Sequence, residues 1–81
     1  MPEVLEAFAA RKRAEAAALE AARQIRHRAD AVLGGAILAE RAKGTPQGEI
    51  ARRIERTREQ VRRYQDAYRE WLREHDGKEP D

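Results

Sequence analysis

Between Arg52 and Arg63 the chain sets six arginines, at 52, 53, 56, 58, 62 and 63, against two carboxylates, Glu55 and Glu59. A guanidinium is a planar, permanently charged fork of donors that fits phosphate oxygens and the O6/N7 edge of guanine. Its chemistry is recognition rather than bond-making. Arg58 and Arg62 are four positions apart and share a face if the segment is helical. If a turn precedes Thr57 and makes it the start of a recognition helix, they form with Glu59 and Arg63 the set expected to face bases in a major groove. The arginines would meet guanine, and Glu59 would meet a cytosine amino group or steer its arginine neighbours. Thr45, Gln47, Arg52, Arg53 and Arg56 are the expected phosphate contacts, which salt would weaken. A solvated, ion-paired surface competes with this reading. Glu55–Arg58, Glu59–Arg62 and Glu59–Arg63 fit such a surface, whereas the like-charged pairs Arg52–Arg56 and Arg58–Arg62 do not.

Covalent chemistry has little to work with. The chain holds no Cys, Ser or Asn, and its hydroxyls are Thr45, Thr57, Tyr64 and Tyr68. His27 and His75 lie far apart in sequence. His27 with Asp30, and His75 with Asp76, each lack the further ligands a metal needs. Gly34-Gly35 follows no strand, so it is no phosphate-cradling loop. No enzyme activity, metal or cofactor is expected.

The composition must still provide a scaffold for the arginines. Of 33 hydrophobic residues among 81, 16 are Ala, which leaves 17 larger side chains and a thin core. Chains this small often gain stability by self-association, so a homodimer is expected. The net charge is only +2, but arginines outnumber lysines 14 to 3. No apolar run approaches the length of a bilayer and no secretory apolar region is present, so a cytoplasmic protein is expected, nucleoid-associated if it binds DNA.

Helix signals run the whole length. Pro2-Glu3 suits a helix start, and "AEAAALEAARQIRHRA" has high helix propensity. Residues 1–30 are read as an Ala-rich helix, an arm or dimerisation element, with Asp30 capping a second helix. Gly34-Gly35 marks either a kink or a close helix crossing. Lys43-Gly44 ends that helix. Thr45-Pro46 reads as cap and first residue of the next, buried through Ile50, Ala51 and Ile54. Thr57-x-x-Gln60 is a capping box for the last helix, expected to end near His75. Its residues Tyr64, Tyr68 and Trp71 suit a core or a dimer seam, and residues 76–81 read as a disordered tail.

Two architectures compete over Glu55-Arg56. The 4-3 spacing of Ile50, Ile54, Thr57, Val61, Tyr64, Tyr68 and Trp71 allows one unbroken helix, folded back on the first as a hairpin scaffold of a phage or plasmid complex. The two caps favour two helices with a turn between them. At this point "KGTPQGEIARRI" followed by "TREQVRRY" resembles the helix-turn-helix segments of small actinobacterial and actinophage DNA-binding proteins. Those segments are similar to sigma factor region four and phage repressors. The resemblance covers Gly44 to Tyr64, with a supporting helix at 31–43. It departs at the turn, where Glu55 and Arg56 replace the usual Gly and apolar residue. The resemblance implies an all-α fold: a long N-terminal helix, then a three-helix helix-turn-helix domain at 31–75 with an extended last helix. It also implies a dimeric transcription regulator that binds double-stranded DNA. The long first helix and the extended last helix are the expected dimer interface.

Overall fold

A computed structural model describes residues 1–80. It contains three helices: α1 (Pro2–Ala42), α2 (Gln47–Arg53) and α3 (Arg58–Glu74). No strand occurs among the described residues. No helix there is long and apolar enough to cross a membrane.

The first helix is longer than the sequence suggests, and there are three helices rather than four. Asp30 does not cap a new helix; α1 runs straight through it. The Ala-rich chain on either side keeps helical propensity high, so one favourable cap residue has no break to stabilise. α1 therefore supplies both the exposed arm and the supporting helix of the packed unit. Its C-terminus closes as expected. Gly44 takes φ +102°, and its N–H donates to the Arg41 carbonyl at 2.9 Å.

Gly34 marks a crossing rather than a kink. A Cβ built on it would lie 1.8 Å from the Tyr64 carbonyl oxygen and 3.0 Å from Tyr68 Cβ. The backbone of α3 thus rests directly on α1, which only a glycine permits. Contacts along the pair fix its direction. Arg41 meets Gln65, Gly34 meets Tyr64 and Tyr68, and His27 Nε2 lies 2.8 Å from Glu74 Oε1. α3 therefore runs antiparallel to the second half of α1.

The continuous-helix alternative does not hold. The chain leaves helical geometry after Arg53, and Glu55 sits at φ +57°. Arg56 N–H donates to the Ala51 carbonyl at 2.9 Å, closing the end of α2. Thr57 then starts α3 with the full capping box. Its hydroxyl accepts from Gln60 N–H at 3.0 Å, and its own N–H donates to Gln60 Oε1 at 2.9 Å. Periodicity ran through this point because both helices bury the same side of the chain.

The start of α2 differs by one residue from the expected cap. Pro46 is the N-cap, and its carbonyl accepts from Glu49 and Ile50. Thr45 lies before it and donates its hydroxyl to Glu40 Oε2 at 2.6 Å. Thr45 stands one position before the N-cap, and its hydroxyl points back to α1, where the charged Glu40 carboxylate accepts its proton.

The core is small. Ile37, Ile50, Ala51 and Val61 form its centre, with Leu33, Ile54 and Tyr64 packed around it. At the middle of the three helices sits a polar side chain, Gln65, only 1 % exposed. Its amide donates to the Val61 carbonyl at 3.1 Å and to Gln47 Oε1 at 3.3 Å, and its oxygen accepts from Arg41 at 2.7 Å. One residue thereby ties α1, α2 and α3 together, with every polar atom satisfied.

Residues 76–80 fold back on α3. Gly77 N–H donates to the Leu72 carbonyl at 2.7 Å, Trp71 Nε1 donates to the Lys78 carbonyl at 3.1 Å, and the Tyr68 hydroxyl donates to Glu79. The rest of the expected tail, Asp81, lies outside the described residues. Trp71 also stacks on His75, with ring centroids 3.8 Å apart. The aromatic stripe of α3 thus makes contacts within the chain and is half-buried there, with α1 against the inner face of α3.

Candidate nucleic-acid interface

α2 and α3 carry the arginine cluster on the side away from the core. Ile50 and Ala51 turn inward from α2, and Val61 and Gln65 from α3, which leaves Arg52, Arg53, Arg56, Arg58, Arg62 and Arg63 exposed. All six are solvent-exposed, but not on one face: Arg53 borders a cleft with Glu40 and Glu49, and Arg63 borders another with Arg26 and Asp30 of α1. They differ in what already holds them.

Arg62 and Arg63 both reach Glu59. Arg62 Nε donates to Glu59 Oε2 at 3.1 Å, and Arg63 Nε lies 3.6 Å from Glu59 Oε1. Arg62 also reaches Asp66 Oδ2 at 3.5 Å, and Arg69 donates to Asp66 Oδ1 at 3.1 Å. The hydrogen bond from Arg62 holds the Glu59 carboxyl below its usual range, and the same bond raises the Arg62 guanidinium. Glu59 is thus ionised and shared between two cations. It can preset their orientation, and a base edge or phosphate must compete with it for them.

Arg52, Arg56 and Arg58 have no carboxylate within ion-pair distance among the described residues. Arg56 donates only to the carbonyl of Glu55, at 3.1 Å. The Arg58 guanidinium stands over Gly48: a Cβ there would be 2.7 Å from its Nη2. The missing side chain on α2 therefore makes the shelf on which the Arg58 guanidinium rests. Arg53 is paired, at 3.6 Å, with Glu49. Of the expected phosphate contacts, Arg52 and Arg56 keep their charge available.

Thr45 and Gln47 are turned to internal work. The Thr45 hydroxyl, held by Glu40, lowers the Glu40 carboxyl below its usual range, with Lys43 adding to the effect. The resulting anion beside Thr45 opposes a phosphate there. Gln47 accepts from Gln65 and donates to the Arg58 carbonyl at 3.3 Å. It braces the start of α3 from inside.

Sequence reasoning overlooked Gln65, Gly48 and Asp66. Gln65 was findable: Val61, Gln65, Tyr68 and Leu72 step 4-3-4, a stripe as regular as the aromatic one. A polar residue on a core stripe signals a buried tie. Asp66 follows Arg62 by four positions and precedes Arg69 by three, the spacing of helix ion pairs. Gly48 gives no signal of its own, because its role depends on a side chain ten positions away.

No three or more His, Asp or Glu side chains converge as a metal site among the described residues. A shallow cleft of about 400 Å³ lies between Glu40, Glu49, Ile50 and Arg53. No family model, curated protein or solved structure matches this chain.

Proposed function

We propose that the chain binds double-stranded DNA through α2 and α3 acting as a helix-turn-helix, without enzymatic activity, as a dimeric transcription regulator of the cytoplasmic nucleoid. The observation that carries this reading is the break at Glu55. It starts α3 afresh at Thr57, so that its first turns bury Val61 and Gln65 while Arg58, Glu59, Arg62 and Arg63 stay exposed, and α2 packs beside them with Ile50 and Ala51 buried. A recognition helix needs that presentation, with its first turns outward and a second helix bracing it.

The preorganised Glu59 fork gives the mechanism a sharper form. Glu59 aligns Arg62 and Arg63 before binding, so less side-chain freedom is lost when they meet guanine edges. Arg58, laid on Gly48, is positioned by packing instead of by charge. Arg52 and Arg56, without carboxylate partners, serve the phosphates, and Thr45 and Gln47 contribute through the scaffold.

A salt-series mobility shift on a random-sequence duplex pool tests the reading. Binding should weaken steeply as salt rises. Arg62→Ala should cost about 1–3 kcal/mol on selected sites and relax sequence preference. Arg52→Ala should weaken all duplexes alike and lower the salt slope by about one. Absence of duplex binding at low salt, or specific binding indifferent to loss of both Arg58 and Arg62, would refute it.

A further inference from the structure

The first half of α1 presents an apolar face that neither α2 nor α3 touches. Ile25 and Gly34 are nine positions apart, half a turn around the helix at about 100° per residue, so Ile25 points away from the packed unit, and every position before it is exposed. Met1, Val4, Phe8 and Ile25 lie on one stripe and are 77 %, 58 %, 53 % and 71 % exposed. From Met1 to Ile25 its positions alternate in steps of three and four, the spacing of a two-helix seam.

The stripe has two features that fix its occupant. Its large residues, Met1, Val4 and Phe8, lie at one end, and its small ones, Ala18 and Ala22, lie towards the other. Between them sits an ion pair, Arg11 Nε to Glu15 Oε1 at 3.3 Å. Lay a second copy against it in parallel and Arg11 faces Arg11, Glu15 faces Glu15, and Phe8 meets Phe8. Lay it antiparallel, with the two-fold axis level with Arg13, and every layer is complementary. Arg11 meets Glu15 of the second copy, twice. Phe8 meets Ala18, Val4 meets Ala22, and Met1 meets Ile25.

We infer that the chain self-associates through residues 1–25 of α1 as an antiparallel helix pair in this register. The flanks agree. On one side Ala7, Ala14 and Ala21 allow close approach of the helices. On the other, Leu5 and Leu19, 62 % and 60 % exposed in the single chain, come together across the pair. Lys12 meets its own copy at the edge, where solvent screens the repulsion. The packed unit of each copy then stands at opposite ends of a rod. Counting about 1.5 Å per residue from the axis to Ile37, the two units are roughly 72 Å apart, near two turns of duplex DNA. That last consequence rests on the DNA-binding reading; the pairing of the arms does not.

Disulfide trapping in the full chain tests direction and register, since no native cysteine interferes. Ala14→Cys should cross-link to itself on oxidation. Ala22→Cys alone should not, because its copies stand about 27 Å apart, but it should cross-link with Val4→Cys when the two are mixed. Self-cross-linking of Ala22→Cys would overturn the antiparallel arrangement, and a monomer in sedimentation at high concentration would overturn the association. Arg11→Glu and Glu15→Arg should each weaken the dimer about tenfold or more, and mixing the two variants should restore it. Failure to restore would also count against the register. DNA binding is scored separately: duplex binding by a monomer refutes this inference alone, and a cross-linked dimer that binds no DNA refutes the other reading alone.

Discussion

Residues 2–26 and 27–42 belong to one helix, yet they meet opposite demands. The second half is covered: Ala31, Gly34 and Ile37 are buried, and α3 lies on its backbone. The first half is exposed at every position through Arg26. The chain is accordingly long, 65 × 30 × 16 Å with a radius of gyration of 18.4 Å. A compact chain of this length would have a radius near 12 Å. In the arm, stability comes from propensity, so Ala is the favoured residue. In the packed half it comes from contact, so the poorest common helix former, Gly, is required where the backbones touch.

The strongest way to break that contrast is to exchange the two residues. Gly34→Ala puts a methyl group where the Tyr64 carbonyl already stands, and only separation of α1 from α3 relieves it. It should lower unfolding stability by at least about 3 kcal/mol, the upper range of overpacking. Ala17→Gly, on the exposed side of the arm, should cost about 1 kcal/mol of helix propensity and leave the packed unit intact. Denaturant unfolding followed at Trp71 reads the first, and helical circular dichroism reads the second. Equal effects of the two substitutions would mean that α1 and α3 do not cross at Gly34.

Next in size is the polar tie. Gln65→Ala removes the partner of Arg41 and of Gln47 and opens a gap among three helices. A loss of about 1–3 kcal/mol is expected from the hydrogen bonds alone. The arm should not notice, because nothing in residues 2–26 contacts Gln65. Amide exchange should speed up throughout α2 and α3 while the arm, which exchanges quickly in a monomer, stays as it was.

What could be read in the sequence divides along the same line. Thr57 and Gln60 were legible because a capping box is closed within four residues and needs nothing else. Gly44 was legible for the same reason. Gly34 was only half legible: a glycine pair in a helix announces a special site, but whether it kinks or admits a neighbour depends on α3, thirty positions on. Asp30 misled because cap preference is a local tendency, and the Ala-rich helix around it was more stable unbroken. Thr45 misled because α2 starts one residue later, at Pro46, and the Thr45 hydroxyl donates to Glu40 of α1. At the arginine cluster, residue types and exposure were readable. The sharing of Glu59 by Arg62 and Arg63, and the shelf at Gly48, needed coordinates.

The smallest expected effect answers the question that periodicity left open. Glu55 holds a left-handed conformation at φ +57°, which costs a residue with a Cβ about 1 kcal/mol and glycine almost nothing. Glu55→Gly should therefore be stabilising, by up to about 1 kcal/mol, once the greater freedom of glycine in the unfolded chain is set against the relief. The sign is the informative part. If α2 and α3 were one continuous helix, glycine at position 55 would be destabilising by about the same amount. The substitution also removes a negative charge beside Arg52 and Arg56, so duplex binding should strengthen slightly at low salt and the gain should fade as salt screens it. A stabilised variant with unchanged or firmer DNA binding fits a turn that positions α3. A destabilised variant would return Gly44 to Tyr64 to the single helix that its 4-3 spacing allows.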